Sequence, residues 1–311
     1  LSSVILMAME LSEIEAFITI NQVGGFTRAA ELLHLSQPAV SRRIELLERE
    51  LEVLLFERLS SGIRLTEAGR AFLPHAQQVV AAIEDGRAAI HALEKEEKGD
   101  ITLALVGTLA STRLTTHLQA FHKTYPQIHL RLHTARSDEV STLVQQGQAH
   151  LGLRYFADPR PDIQSLPVIN EPLLVICAMQ SRFFADEPTE PAALFGIPWV
   201  TFPLNVGSSG EPFARLLQQQ LQRYELDTAE RIVIDSLTAQ KRLIEADFGI
   251  GLVPASSVEE ELRIGTVRVL PVAGLTTNVP VMVIHRSQAY LSRAVRLLLE
   301  TLTAQIVEED R

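Results

Sequence analysis

The sequence predicts an α+β winged helix-turn-helix domain at the N-terminus, then a long helix, then an α/β domain through the rest of the chain. Three observations carry this prediction. Two short amphipathic patterns meet at a tight polar break, Leu35-Ser36. A heptad of small and apolar residues runs from Leu65 to Leu93. From Asp100 onward, short apolar runs alternate with helical periodicity.

Helices are expected at about 11–23, 27–34 and 36–50. Ser12 and Glu15 offer a capping box for the first of them. Ser36 is the expected N-cap of the third, with Pro38 in its first turn, where a missing N–H costs nothing. Ile14, Phe17, Ile18, Ala29, Leu32, Leu33, Val40, Ile44 and Leu47 recur at helical spacing and should form a small core. Residues 54–56 and 63–65 read as two short strands around the turn Ser60-Ser61-Gly62, which makes a wing. Thr66 should cap a helix running to about Lys95. Its positions Phe72, Ala76, Val79, Ile83, Ile90 and Leu93 form a seam that faces no partner within its own chain, which implies a second chain. The alternative is an amphipathic helix packed on its own domain. The charged run ending at Lys98-Gly99 reads as a solvated hinge.

Beyond it, strands are expected at 101–106, 129–134, 151–155, 173–179, 199–202, 231–234, 250–253, 267–270 and 281–285. Helices are expected at 111–124, 138–146, 209–223, 237–247, 255–262 and 289–307. Such alternation argues for parallel sheets with helices on both faces.

The first turn of the third helix carries the candidate chemistry. Gln37 and Ser41 lie one turn apart and point the same way; a glutamine can pair bidentately with adenine, and a serine can donate or accept. Arg42 and Arg43 flank them and suit phosphates, while Pro38 and Ala39 can meet a thymine methyl. Arg28, Arg58 and Arg64, at a helix start and in the wing, are further candidate DNA contacts. A solvated helix face is the plain alternative.

The series AAELLHLSQPAVSRRIELLE, followed by LFER and LTEAG, resembles the N-terminal half of LysR-type transcriptional regulators. The likeness extends more loosely over the rest of the chain, with GIGLVP at 249–254 as its best local echo. The resemblance implies a two-lobed, periplasmic-binding-protein-like effector domain with crossovers near 170 and 274. It divides the chain into an extension at 1–8 (the family-like start being Met9), a winged DNA-binding domain at 9–66, a linker helix and hinge at 67–98, and an effector domain at 99–311. Lobe I is then 99–169 with 275–311, and lobe II is 170–274. The family often has an arginine where Ser61 stands, so the usual minor-groove contact is in question here. The matching strand ends line the family's cleft: Thr108, Ser111, Arg136, Ser137, Arg154, Tyr155, Phe202, Asn205 and Ser236. Arg136 and Arg154 could clamp a carboxylate, which suggests a small anionic effector. For each arginine a structural ion pair is the alternative, and for Thr108 and Ser111 plain helix capping. The partners implied are promoter DNA, the effector and a second copy of the chain in a dimer of dimers, with RNA polymerase as a further candidate.

Composition sets bounds on all this. The chain has 311 residues, 46% hydrophobic and 21% charged, as in soluble multidomain proteins. No apolar run reaches the roughly 20 residues that span a bilayer. A single cysteine, Cys177, precludes an internal disulfide and fits a reducing cytoplasm. The formal net charge of −10 is unusual for a DNA binder, and residues 9–66 carry six arginines against nine glutamates. With few phosphate contacts per protomer, pairing of protomers is needed to double them. No metal-ligand or phosphate-loop spacing and no nucleophile motif occurs, so no cofactor is expected. An α/β enzyme with an appended helical domain, or a solute sensor without DNA binding, are the competing readings.

Overall fold

The computed structural model describes residues 9–59, 62–91, 98–111, 114–184, 188–204, 212–275 and 277–304. The chain divides into two compact units, Leu1–Leu93 and Glu94–Arg311.

In the first unit, helices α1 (Leu11–Val23), α2 (Phe26–Leu32) and α3 (Gln37–Glu50) precede a hairpin of β1 (Phe56–Leu59) and β2 (Gly62–Leu65), and α4 (Glu67–His91) follows. The start of α1 differs from expectation. Its N-cap is Glu10, whose N–H donates to the Glu13 carboxylate at 3.2 Å, two residues before the Ser12/Glu15 box. The register follows burial: Ile14, Phe17 and Ile20 must all face inward. The helix closes at Gly24, whose φ of 72° is the left-handed conformation that glycine adopts freely.

The α3 N-cap is as expected: Ser36 Oγ accepts from the Ala39 N–H at 3.4 Å, with Pro38 in the first turn. Ser36→Ala is expected to lower the thermal stability of this unit by about 1 kcal/mol, read by calorimetry of the whole chain. The core joins Phe17, Ala29, Val40, Ile44 and Leu47 to Leu55 and Phe56. Phe17 sits between the rings of Phe56 and Phe72, at 5.3 and 5.4 Å between centroids. The Glu48 carboxylate accepts from the Leu55 and Phe56 N–H groups at 2.7 and 3.1 Å, tying the wing to α3. Thr66 caps α4 by accepting from the Gly69 N–H at 3.0 Å, while its hydroxyl donates to the Leu54 carbonyl at 2.7 Å.

The heptad seam requires a correction. Ala76 is fully buried in the unit's own core, and Phe72 packs on the same core through Phe17. Phe72 and Ala76 are therefore structural residues of the winged domain. A stripe of this period serves a neighbouring chain or a neighbouring element equally well. Farther along α4, Val79 and Ile90 are exposed, at 44% and 68%, and Ile83 is half-buried. Leu93 lies outside the described residues.

The second unit opens with β3 (Gly99–Val106), α5 (Leu114–Thr124), β4 (Ile128–Ala135), α6 (Ser137–Gln145) and β5 (Leu151–Tyr155). A 16-residue strand, β6 (Ile163–Ala178), comes next. Then follow β7 (Trp199–Thr201), α7 (Pro212–Arg223), β8 (Arg231–Val233), α8 (Leu237–Glu245), β9 (Gly251–Pro254), α9 (Glu259–Ile264), β10 (Val267–Val269), β11 (Thr277–Arg286) and α10 (Arg293–Thr303).

The expected parallel sheets are mixed ones. Strands β3, β4 and β5 are parallel, but β11 runs antiparallel to both β5 and β6, and β6 is antiparallel to β9 and β10. The sheet order is β10-β6-β11-β5-β3-β4, with β9 also on β6, while β7 and β8 form a parallel pair of their own. The two lobes share β6. Its first part pairs with β11, and its last residues pair with β9 and β10. Gly152 marks the packing of α6 on the sheet: a Cβ there would lie 2.9 Å from both Val140 and Val144.

Candidate DNA-recognition helix and effector site

The start of α3 stands outward. Ser36, Gln37, Pro38 and Arg42 are exposed, and Ala39 and Ser41 are half-exposed. The buried face of the same helix, Val40, Ile44 and Leu47, holds it against α1 and α2. Gln37 Nε2 donates to Ser41 Oγ at 3.1 Å, so the two polar groups share one face and orient each other. The amide oxygen of Gln37 takes no part in that bond, and the pair presents donors and acceptors of the kind that base edges require.

The arginines divide. Arg28, Arg42 and Arg64 are exposed, and Arg64 lies opposite Glu57 across the wing. Arg43 is half-buried, and its guanidinium donates to the Ser12 carbonyl at 3.4 Å. That bond ties one guanidinium nitrogen of Arg43 to α1, unlike the exposed Arg42. Arg58 lies in β1, and its side chain is outside the described residues, as is Ser61.

At the effector domain, Val106 of β3 pairs with Ala135 of β4, so the loops leaving these parallel strands emerge side by side. They carry Thr108 and Ser137, 3% and 7% exposed, whose hydroxyl oxygens have no hydrogen-bond partner among the described residues. Arg136 stands beside them, exposed, with Asp138 at 3.7 Å.

Arg154 is not free to clamp a ligand. Its guanidinium is ion-paired to the buried Asp158 and donates to Ser141 Oγ at 2.6 Å, and Asp158 also neighbours Arg160 at 3.9 Å. Burial lowers the Arg154 pKa, and the Asp158 carboxylate opposes that shift. The ion-pair alternative is the one that packing selects. Tyr155 is fully buried in the core, which removes it from the cleft surface.

Phe202 is buried at the end of β7, and Ser236 caps α8 by accepting from the Ala239 N–H at 3.4 Å. The Ser111 side chain and Asn205 lie outside the described residues. Cys177 is buried, and burial pushes its thiol up to about 11, so little reactive thiolate forms near neutral pH. Among the described residues no group of three or more metal-binding side chains occurs, and no helix is long and apolar enough to cross a membrane.

One feature of this domain was not legible in the sequence. A cavity of about 430 Å³ is bounded by Leu109, Leu114, Leu153, Val168, Val281 and Leu302. Its polar lining comes from His117, Asn170, Glu171 and Ser256. The only sequence signal was an acidic residue, Glu171, opening an otherwise apolar run.

Residues 11–70 match the family described as bacterial regulatory helix-turn-helix protein, lysR family, and residues 94–306 match the LysR substrate binding domain. Among curated relatives, the HTH-type transcriptional regulator CfxR of Cupriavidus necator is 29% identical over 295 residues, covering 93% of this chain and 89% of that protein. A probable RuBisCO transcriptional regulator of Trichormus variabilis is 26% identical over 293 residues, covering 92% and 86%.

Among solved structures, a full-length OxyR variant from Pseudomonas aeruginosa superposes with a TM-score of 0.77 at 22% identity, covering 95% of each chain. CbnR, a LysR family transcriptional regulator solved alone and with its target DNA, gives a TM-score of 0.66 at 25% identity, covering 94% of this chain and 98% of that one. These relatives are regulators rather than enzymes, and both halves of the chain are matched in order. The chain belongs to the LysR family of transcriptional regulators, with a helix-turn-helix DNA-binding domain followed by a two-lobed effector-binding domain.

Proposed function

We propose that this regulator binds a dyad-symmetric promoter site by inserting the first turn of α3 from each of two protomers into successive major grooves. The observation that carries this reading is the outward polar face of Gln37 and Ser41, held by the Ser36 cap above a fully apolar inner face. Arg42 and Arg28 supply phosphate contacts, and Arg64 does so from the wing. The CbnR complex with its target DNA supports the same mode here. A gel shift on duplex from the protein's own upstream region tests it: saturable, salt-sensitive binding is expected, and no preference over random duplex would count against the reading.

Pairing of protomers runs through the distal half of α4, where Val79 and Ile90 are exposed, and a dimer of dimers is the proposed assembly. Ile90→Glu is expected to shift the sedimentation profile toward monomer and weaken operator binding, with the unit's melting unchanged. Unchanged assembly would remove α4 from the interface.

The effector is proposed to bind beyond the ends of β3 and β4. There the buried hydroxyls of Thr108 and Ser137, unpaired among the described residues, meet the N-terminus of α6, and Arg136 supplies positive charge, favouring a small anion. Such a ligand acts only if it prefers one arrangement of the lobes, and through them one spacing of the DNA-binding heads. RNA polymerase is a further proposed partner, and the cytoplasm the proposed location.

A further inference from the structure

The outward face of α3 continues beyond its first turn. After Gln37, Pro38 and Arg42, the next exposed residues of the helix are Glu45 and Arg49. Gln37, Ser41 and Glu45 follow one another at single-turn spacing, so the three polar groups form one slowly twisting row. From Gln37 to Glu45 the helix rises about 12 Å, the length of roughly three to four base-pair steps. A recognition helix lying in a major groove therefore brings Glu45 over a different base pair from Gln37.

The glutamates of α3 have different partners. Glu48 serves the fold, its carboxylate holding the Leu55 and Phe56 N–H groups of the wing. Glu45 makes no hydrogen bond or ion pair among the described residues. Arg49 stands one turn beyond it, at the spacing that favours a helical ion pair, yet that pair is not made. A carboxylate on this face weakens binding to a polyanion in general. It also supplies a group that arginine, serine and glutamine do not, one that only accepts hydrogen bonds. Cytosine presents its N4 amino donor to the major groove without an acceptor beside it. Guanine presents N7 and O6 acceptors, thymine an O4 acceptor and a methyl, and adenine sets an N7 acceptor beside its N6 donor. An acceptor-only side chain therefore favours cytosine and is repelled most by guanine.

We propose that Glu45 is a specificity-determining residue, accepting from cytosine N4 at one base pair of each half-site. Arg42 and Arg49, on either side of it along the helix, meet phosphates and offset its repulsion from the backbone. At any other base edge that repulsion is uncompensated, so Glu45 lowers non-specific binding more than specific binding. This suits a DNA-binding unit whose glutamates outnumber its arginines. The role rests on the insertion of α3 into the groove proposed above.

Selection of bound sequences from a random duplex library, with the full chain and its Glu45→Gln, Glu45→Ala and Gln37→Ala variants, tests the role. The unaltered protein is expected to require cytosine at one position per half-site, with guanine there bound about tenfold more weakly. Glu45→Gln should move that preference to adenine, which a glutamine meets bidentately, and Glu45→Ala should abolish it. Both variants should bind random duplex several-fold more tightly, because a repulsive charge is gone. Gln37→Ala should change a different position and leave the cytosine in place. Calorimetric melting of both Glu45 variants should match that of the unaltered chain. Two results overturn the proposal: an unchanged preference at every base pair in both Glu45 variants, or equal losses on selected and random duplex, which would make Glu45 structural. If Gln37→Ala still alters the selected sequence, only the role of Glu45 is refuted. If no variant alters it, α3 is not the reading helix.

Discussion

Gln37→Ala is expected to relax sequence preference at one base pair per half-site by about 1–3 kcal/mol, leaving affinity for random duplex nearly unchanged. Arg42→Ala should do the opposite. It should weaken operator and random duplex alike and reduce the salt slope of binding by about one per protomer. The contrast follows from position. Gln37 is locked to Ser41 on the outward face of the first turn, where a bidentate amide can meet a base edge. Arg42 lies beside that face, exposed, where a flexible cation meets the backbone. Affinities measured across a panel of single-base-pair operator variants, at several salt concentrations, separate the two. Equal losses on cognate and random duplex for both variants would refute this division of roles.

Gly69→Ala should destabilise the winged unit by about 2–3 kcal/mol, a large effect for one methyl group. A Cβ at this position would lie 2.2 Å from the Leu55 carbonyl oxygen and 3.0 Å from the Leu65 side chain. That same carbonyl accepts the Thr66 N–H at 3.0 Å. Relief of the clash therefore requires α4 to move off the wing and loosens the residue that caps it. The rigid partner is backbone, so the neighbour cannot simply turn aside. Calorimetry of the full chain should show the transition of the first unit lowered and that of the second unmoved, since distant sites add independently. An unshifted first transition would mean that α4 and the wing are not coupled through this contact.

How much of this was legible in the sequence depends on the range of the interaction that decides it. Ser36, Pro38 and Thr66 announce helix starts because a cap acts over three residues, and the structure places those helices accordingly. Glu10 was missed because a glutamate reaches the first turn as a serine does, and only the burial of Ile14 and Phe17 chooses between registers. The α4 stripe was legible as a stripe but not as to its partner: Phe72 faces Phe17, more than fifty residues earlier in the chain, and Ala76 is buried in the same core. Strand directions were hidden for a similar reason. Buried strands such as β5 and the end of β6 read as apolar runs whichever way their neighbours point. Arg154 suggested a ligand clamp until folding brought Asp158 and Ser141 to its guanidinium. The cavity was the least legible feature, because its walls come from elements scattered between Leu109 and Leu302.

If the first turn of α3 enters duplex DNA, a thiol placed there by Ser41→Cys is shielded in the complex. The native Cys177 is buried with its thiol held at about 11, so a maleimide reports on the introduced thiol. Duplex from the protein's own upstream region is expected to slow alkylation by about an order of magnitude, and protein alkylated beforehand is expected no longer to bind that duplex. Equal alkylation rates with and without bound DNA would contradict it.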